Sequence, residues 1–434
     1  MWRVLRQFIF GSTSNILNRV IGLIGAIITA RLLGPEGYGL LGIVFALTLT
    51  LNMFADTGVE KAIVHYAAGE TDDLNIVWSG FVIDLLLTVS VFIINVLLAG
   101  WFEAQTNKPV KVLSILAALY LIPSAFDTWK SRLQARKRIE LLCIISVIST
   151  LMQTSFSISL IIIGFGVQGA VTGFVIARIG HTLLYMRYGF GKGEFNPKVV
   201  VKLLKYGIPS GLKGLSSYLV LRADRLILAF FVTASDIAIY GIANMIGSMI
   251  QLLPASFSLI MLPYISEAYK NKESQKIHGS YTAGLVIYGI WGIISALFIL
   301  IIAEPLVLII LGQEYLPSVN ILRICIFADV AYCFFHIMTT TLDGIHQTTK
   351  NLIIAVVQAL ITLALLFIFI PFYGITGAAY IDVIVSIIGV ILGFIYMKRI
   401  TGLKLTQNLS YVRELLTILK RGMKQAIVLT KENE

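Results

Sequence analysis

Residues 281–303 read YTAGLVIYGIWGIISALFILIIA, and this stretch decides the fold. Its 23 residues carry no charge. Coiled as an α-helix they rise about 35 Å, enough to cross the roughly 30 Å hydrocarbon core of a bilayer. A barrel strand needs about 9–11 residues of alternating polarity, and no alternation is present here. Eleven further windows of the same kind surround it, near residues 10–33, 38–58, 77–100, 112–129, 141–164, 168–187, 206–231, 237–262, 318–340, 352–372 and 374–397. The chain is 57% hydrophobic and 13% charged, with a mean hydropathy of +0.88. Soluble domains carry about 25% charged residues. The expected fold is therefore an all-α polytopic membrane protein of about twelve transmembrane helices.

A net charge of +11 would suggest nucleic acid as the partner of a soluble protein. Here the positive-inside rule accounts for it without any nucleic acid. With an inside N-terminus, 25 of the 34 Lys and Arg residues fall in inside segments and 3 (Arg31, Lys108 and Lys111) in outside loops. The expected location is the cell (inner, cytoplasmic) membrane, crossed many times, with both termini in the cytoplasm. Arg3 and Arg6 precede a run too long for a cleavable signal, so the first helix reads as a signal anchor. Cys143, Cys325 and Cys333 all fall in predicted helices, without CxxC or paired-His spacing. They read as small core residues, and neither a metal site nor a disulfide is expected. No GxxxxGK[ST] motif occurs, no cofactor is expected, and the short outside loops hold no paired carboxylates. An enzymatic role is not expected.

Residues 188–204 form the longest polar interruption in the middle of the chain. Six predicted helices precede it and six follow. The expected division is a first bundle at 1–187, a cytoplasmic linker at 188–204, a second bundle at 205–397 and a cytoplasmic tail at 398–434. An even number of helices per half gives both halves the same orientation, as in transporters built from parallel repeats. Tyr38-Gly39 and Tyr240-Gly241 echo each other, each just after a short outside turn with an acid, Glu36 or Asp236. Pro123, Pro209, Pro254 and Pro263 fall at membrane depth, with Gly211 and Gly214 close to Pro209. Such breaks either line a wet cavity or are packed kinks. In the tail, Leu409, Val412, Leu416, Leu419, Met423 and Ile427 recur at helical spacing among basic residues. That pattern predicts an amphipathic helix on the inner membrane surface.

The remaining six cations lie inside hydrophobic stretches: Arg19, Arg178, Lys213, Arg222, Arg225 and Arg323. A charge at the bilayer centre costs about 2.5–3.5 kcal/mol on insertion scales. Arg19 and Arg178 fall nearest the centres of their helices, whereas Arg225 and Arg323 lie near the outer interface, where they can snorkel. At 100° per residue, Arg222 and Arg225 stand about 60° apart, while Asp224 stands about 160° from Arg222 and about 100° from Arg225. Lys213 and Asp224 share another face. The two arginines then either meet an anionic ligand or are neutralised by acids from other helices. Asp84, Asp329 and Asp382 are the intramembrane candidates. Asp56 and Glu60, four residues apart at the inner end of the second helix, read as a coupling-cation site or as partners of nearby lysines. His181 and His336 are isolated within helices and read as packed histidines.

Residues 30–68, with "RLLGPEGYGLLG" followed by "ADTGVEKAIVHYAA", and residues 222–249, with "DRLILAFF" followed by "IYGIANMI", resemble a known family. They are similar to the polysaccharide-biosynthesis flippases of the multidrug/oligosaccharidyl-lipid/polysaccharide exporter superfamily. The resemblance implies two six-helix bundles around a central cavity that opens alternately to either side. It also implies movement of lipid-linked sugars from the inner to the outer leaflet. Such a substrate carries a phosphate or pyrophosphate between its prenyl tail and its sugars. An arginine fork suits that group, because it binds two oxygens at once. The expected partners are a lipid-linked oligosaccharide, membrane lipids and a coupling cation. The alternative is a cation-coupled multidrug exporter of the same superfamily. A cationic drug favours a cavity rich in carboxylates, and the intramembrane cations argue against it.

Overall fold

The computed structural model describes residues 2–68 and 73–401. The amphipathic helix expected after residue 405 lies outside the described residues. Among the described residues the structure is helical throughout, with no strand. The chain runs through α1 (Trp2–Ala55), α2 (Val59–Ala67), α3 (Asp73–Thr106), α4 (Lys111–Ala118), α5 (Leu121–Ser124), α6 (Asp127–Ala135) and α7 (Ile139–Leu160). It continues through α8 (Gly166–Gly189), α9 (Pro197–Phe231), α10 (Ala234–Gly247), α11 (Leu252–Lys270), α12 (Ser274–Ile310), α13 (Pro317–Gly344) and α14 (Thr348–Thr401). Large apolar side chains project outward along these helices, among them Ile301 at 77% and Phe372 at 81% exposure. Lipid, not water, is the solvent that such surfaces require.

Eight helical segments are long and apolar enough to span a bilayer, and three of them run for 43, 51 and 52 residues. A straight helix of that length would reach about 65–78 Å, twice what one crossing needs. Each is broken once, at Gly34 (φ 66), at Gly164 and Gly166 (φ 108 and 50) and at Gly374 (φ 54). Left-handed backbone is cheap only for glycine, so these residues reverse or kink the chain where two expected helices meet. Taking each broken segment as two crossings and adding α9, whose charges hold down its hydropathy, gives twelve among the described residues.

Three helix connections follow one design. α6–α7, α11–α12 and α13–α14 are each joined by three residues, with Lys137, Lys272 and His346 at φ 57, 59 and 58. In each, the next amide returns to a carbonyl of the preceding helix: Arg138 to Leu133 at 3.0 Å, Glu273 to Ala268 at 2.9 Å and Gln347 to Leu342 at 2.8 Å. This is the Schellman closure, which satisfies the last carbonyls of a helix. The turn at Lys137 recurs at His346, and the glycine break at Gly164 recurs at Gly374. Both recurrences have nearly the same offset, as a duplicated half would produce.

The chain forms two compact units. One comprises Met1–Ile242, Pro305–Ser318 and Leu363–Ala378; the other comprises Ala243–Glu304, Val319–Thr362 and Ala379–Glu434. The boundary therefore differs from the one expected at 188–204. The cause is α9, which packs on α1, α2 and α3. Gly207 and Gly211 form a GxxxG seam that lets the backbones touch. A Cβ at Gly211 would stand 2.6 Å from the Asp56 carbonyl oxygen, and one at Gly207 would stand 2.7 Å from that of Thr57. Gly58 meets Gly207 from the opposite side. Pro209 thus lies in a continuous helix at a packed crossing. The segment before α9 is also tied down. Asn75 Oδ1 accepts from the Glu194 amide at 2.6 Å, Ser79 Oγ accepts from the Asn196 amide at 3.0 Å, and Asn196 caps α9.

In the second unit, α10 gives way to a 3-10 turn at Ser248–Gln251, and Trp291 Nε1 donates to the Ile250 carbonyl at 2.9 Å. Cys325 and Cys333 are buried, and Cys143 is partly so.

Candidate functional site

Two groups of charges stand out in the first unit, and their chemistry differs. The first joins α2, α3, α6 and α8. Arg178 Nη2 donates to Asp127 Oδ2 at 2.6 Å, with side chains 9% and 13% exposed. Its Nη1 lies 3.2 Å from His181 Nδ1, and the guanidinium sits 4.8 Å from the Tyr120 ring centroid. One turn along α6, Lys130 Nζ is 3.8 Å from Glu60 Oε2. Asp84 lies within electrostatic reach of Glu60, Asp56 and Asp127, and Asp56 within reach of Glu60. Asp56 also accepts from the Gly58 amide at 3.0 Å, closing the turn into α2. Protein atoms around Glu60 strip its hydration and, with the negative charge of Asp127, push its carboxyl up to about 7 against the pull of Lys130. Arg178, expected to meet the substrate, is ion-paired here, because α6 places Asp127 directly opposite it.

The second group belongs to α9. Asp224 is buried and fully engaged: Tyr240 Oη donates to Oδ2 at 2.6 Å, and the Arg225 amide donates to Oδ1 at 2.7 Å. It forms no ion pair with either arginine. Arg222 is exposed and Arg225 half-buried, and neither has an ion pair among the described residues. Tyr38 and Tyr218 lie within electrostatic reach of both guanidinium groups, and Tyr218 Oη is 3.3 Å from Thr50 Oγ1. Tyrosine hydroxyls surround the two arginines, and Asp224 acts on Arg222 through space without pairing with it. Above them, towards the end of α9, Lys108 Nζ donates to the Ala229 carbonyl at 2.5 Å, and its burial pulls the ammonium below the usual amine range.

The other expected residues are scattered. Arg19 is exposed on α1, beside Asn18, which bonds Ser146 at 2.8 Å and Thr150 at 2.9 Å. Lys213 is half-buried and engaged in a polar contact. Arg323, Asp329 and Asp382 belong to the second unit. Arg323 is exposed and donates to Asn320 at 3.3 Å; Asp329 is buried and accepts from Gln251 Nε2 at 2.7 Å; Asp382 is half-buried and engaged. Asp329 and Asp382 therefore do not join the α9 arginines within a unit. His336 bonds Ser258 at 2.9 Å, as a packed histidine does.

Sequence reasoning missed Asp127, and it missed a clamp at the start of α3. Arg132 and Arg136 both grip Asp73 in paired contacts of 2.7–3.1 Å, and Arg132 also donates to the Gly189 carbonyl. Both signals were present: an acid in the last turn of a predicted span, and an acid opening a helix.

This is a polytopic helical membrane protein with the fold of a transporter. The family profile described as "Polysaccharide biosynthesis protein" matches residues 28–320, and the chain belongs to that family. It is 23% identical over 387 residues to the "Probable flippase AglR" of Haloferax volcanii, covering 85% of this chain and 79% of that one. It is 22% identical over 372 residues to the "Putative O-antigen transporter" of Shigella flexneri, covering 81% and 87%. Among solved structures, "Lipid II flippase MurJ, inward closed conformation" matches with a TM-score of 0.75 at 18% identity, over 90% of this chain and 87% of that one.

Proposed function

We propose that the protein is a flippase. It moves a prenyl-phosphate- or pyrophosphate-linked oligosaccharide from the inner to the outer leaflet by alternating access, without a chemical step of its own. The observation that carries this reading is the pair Arg222 and Arg225, neither in an ion pair among the described residues while Asp224 between them bonds Tyr240. Two guanidinium groups on one face of a membrane helix suit a phosphodiester or pyrophosphate. Tyr38, Tyr218 and Thr50 offer hydroxyls to the sugars. The family and its flippase relatives support the same substrate class.

In this reading both termini and residues 188–204 face the cytoplasm, and the protein sits in the inner membrane. Cysteine substitutions at Lys192, Asn107 and Glu314 test that topology, and labelling of Lys192→Cys from outside intact cells overturns it. Glu60 is the candidate coupling carboxylate, since its carboxyl titrates near neutrality.

The deciding experiment reconstitutes the full chain in proteoliposomes and follows a labelled lipid-linked oligosaccharide. Arg222→Ala with Arg225→Ala abolishes flipping and leaves the melting temperature unchanged or raised. Undiminished flipping refutes the assignment. Transport of a cationic dye in place of the oligosaccharide favours the multidrug reading.

A further inference from the structure

The second compact unit holds a hollow of about 750 Å³ between two inner turns, α11–α12 and α13–α14. That volume lies within the roughly 300–1,000 Å³ typical of ligand sites. Tyr269 and Ile277 form its apolar wall, Lys270, Lys272 and His346 its basic rim, and Glu267 its one carboxylate. The Tyr269 and His346 rings meet edge to face at 5.6 Å, which ties the two turns together. Lys272 and His346 are the left-handed residues of their Schellman turns, so the backbone fixes where each side chain starts. Lys270 and Lys272 form no ion pair among the described residues. The nearby Glu273 is bonded to Lys276 at 2.9 Å and does not neutralise them. The fixed charges of the lining therefore sum to a positive excess.

Depth decides what can occupy this hollow. The apolar run of α12 begins at residue 281, four residues past Ile277, or about 6 Å along the helix. The hollow is thus at headgroup level, on the face that the excess of Lys and Arg assigns to the cytoplasm. A free inorganic anion would use the lysines and leave the wall of Tyr269 and Ile277 wet. A phospholipid uses both: phosphate for the ammonium groups, and glycerol and upper acyl carbons for the apolar wall. Glu267 then accepts from a headgroup hydroxyl, which a polyol headgroup supplies and choline does not. We propose that the hollow between the α11–α12 and α13–α14 turns binds an anionic phospholipid headgroup of the phosphatidylglycerol kind. This site is separate from the α9 arginines, and only its assignment to the inner leaflet rests on the topology given above.

The test is native mass spectrometry of the purified full chain with phosphatidylglycerol or phosphatidylcholine added in detergent. The wild type retains one phosphatidylglycerol in preference to phosphatidylcholine, and excess inorganic phosphate does not displace it. Lys270→Gln with Lys272→Gly weakens that retention about fivefold per lysine, the worth of one basic residue near an anionic surface. Glycine keeps the left-handed turn at position 272. Should the double variant fail to fold, Lys270→Gln alone, at an exposed helix end, reads a loss of about fivefold. Equal retention of the two lipids, retention unchanged in the variants, or displacement by phosphate each overturns the proposal.

Discussion

Arg178 and Arg222 carry the same charge in the same compact unit and do opposite things. Arg178 is buried against Asp127, stacked on Tyr120 and bonded to His181. Arg222 is exposed, and the one acid of its own helical turn is bonded to Tyr240 instead. A buried cation that has its counter-ion holds helices together. A cation whose nearby acid is already satisfied keeps its charge for something else. The difference lies in the groups around each guanidinium, not in residue type.

Breaking the Arg178 pair should have the largest effect. Arg178→Ala strands Asp127, and removing one partner of a buried pair costs about 3–5 kcal/mol. The expected result is a lower melting temperature and lost transport, with stability partly restored by adding Asp127→Asn. A stable Arg178→Ala variant would erase the contrast. Next in size is Arg222→Ala. Loss of a charge-assisted bond to phosphate, about 1.5–3 kcal/mol, lowers substrate binding roughly ten- to hundredfold while the melting temperature holds. Binding measured with detergent-solubilised lipid-linked oligosaccharide reads the difference.

Asp224→Ala sharpens the comparison from the other side. It removes the charged acceptor of the Tyr240 hydroxyl at a cost of about 1.5–3 kcal/mol, and it should not weaken substrate binding. Weaker binding together with a stable fold would show that Asp224 positions the arginines. The smallest effect concerns pH. Glu60 titrates at about 7 in the folded protein, above the ordinary 4.5 of a glutamate. Its ionisation therefore weakens the fold as pH rises from about 4.5 through 7, and the contribution is absent below that window. Glu60→Gln should leave the melting temperature near pH 4.5 unchanged and raise it near pH 8. An identical pH profile in the variant would remove Glu60 as a titrating group.

The spans were legible because hydropathy over some twenty residues suffices to define a crossing, and the glycine breaks fell where consecutive windows met. The angular separation of Asp224 from the two arginines was legible too, since helical angles need no tertiary knowledge. The partner of Arg178 was not, because Asp127 lies 51 residues away and only packing brings it near. The Pro209 region read either as a break lining a cavity or as a packed kink, and the sequence did not show that Gly207 and Gly211 give their missing side chains to close packing. A GxxxG spacing marks small residues on one face, but it does not name the surface that they meet. The unit boundary followed from that same contact, and loop length alone pointed elsewhere.

The meeting of Gly58 with Gly207 and Gly211 has an evolutionary consequence. A methyl group at any of the three positions would collide with main-chain atoms, which cannot turn aside as a side chain can. Any side chain at these sites must therefore push one helix backbone away from the other. A compensating change at a neighbour cannot relieve this, because the obstacle is peptide backbone and every amino acid brings the same one.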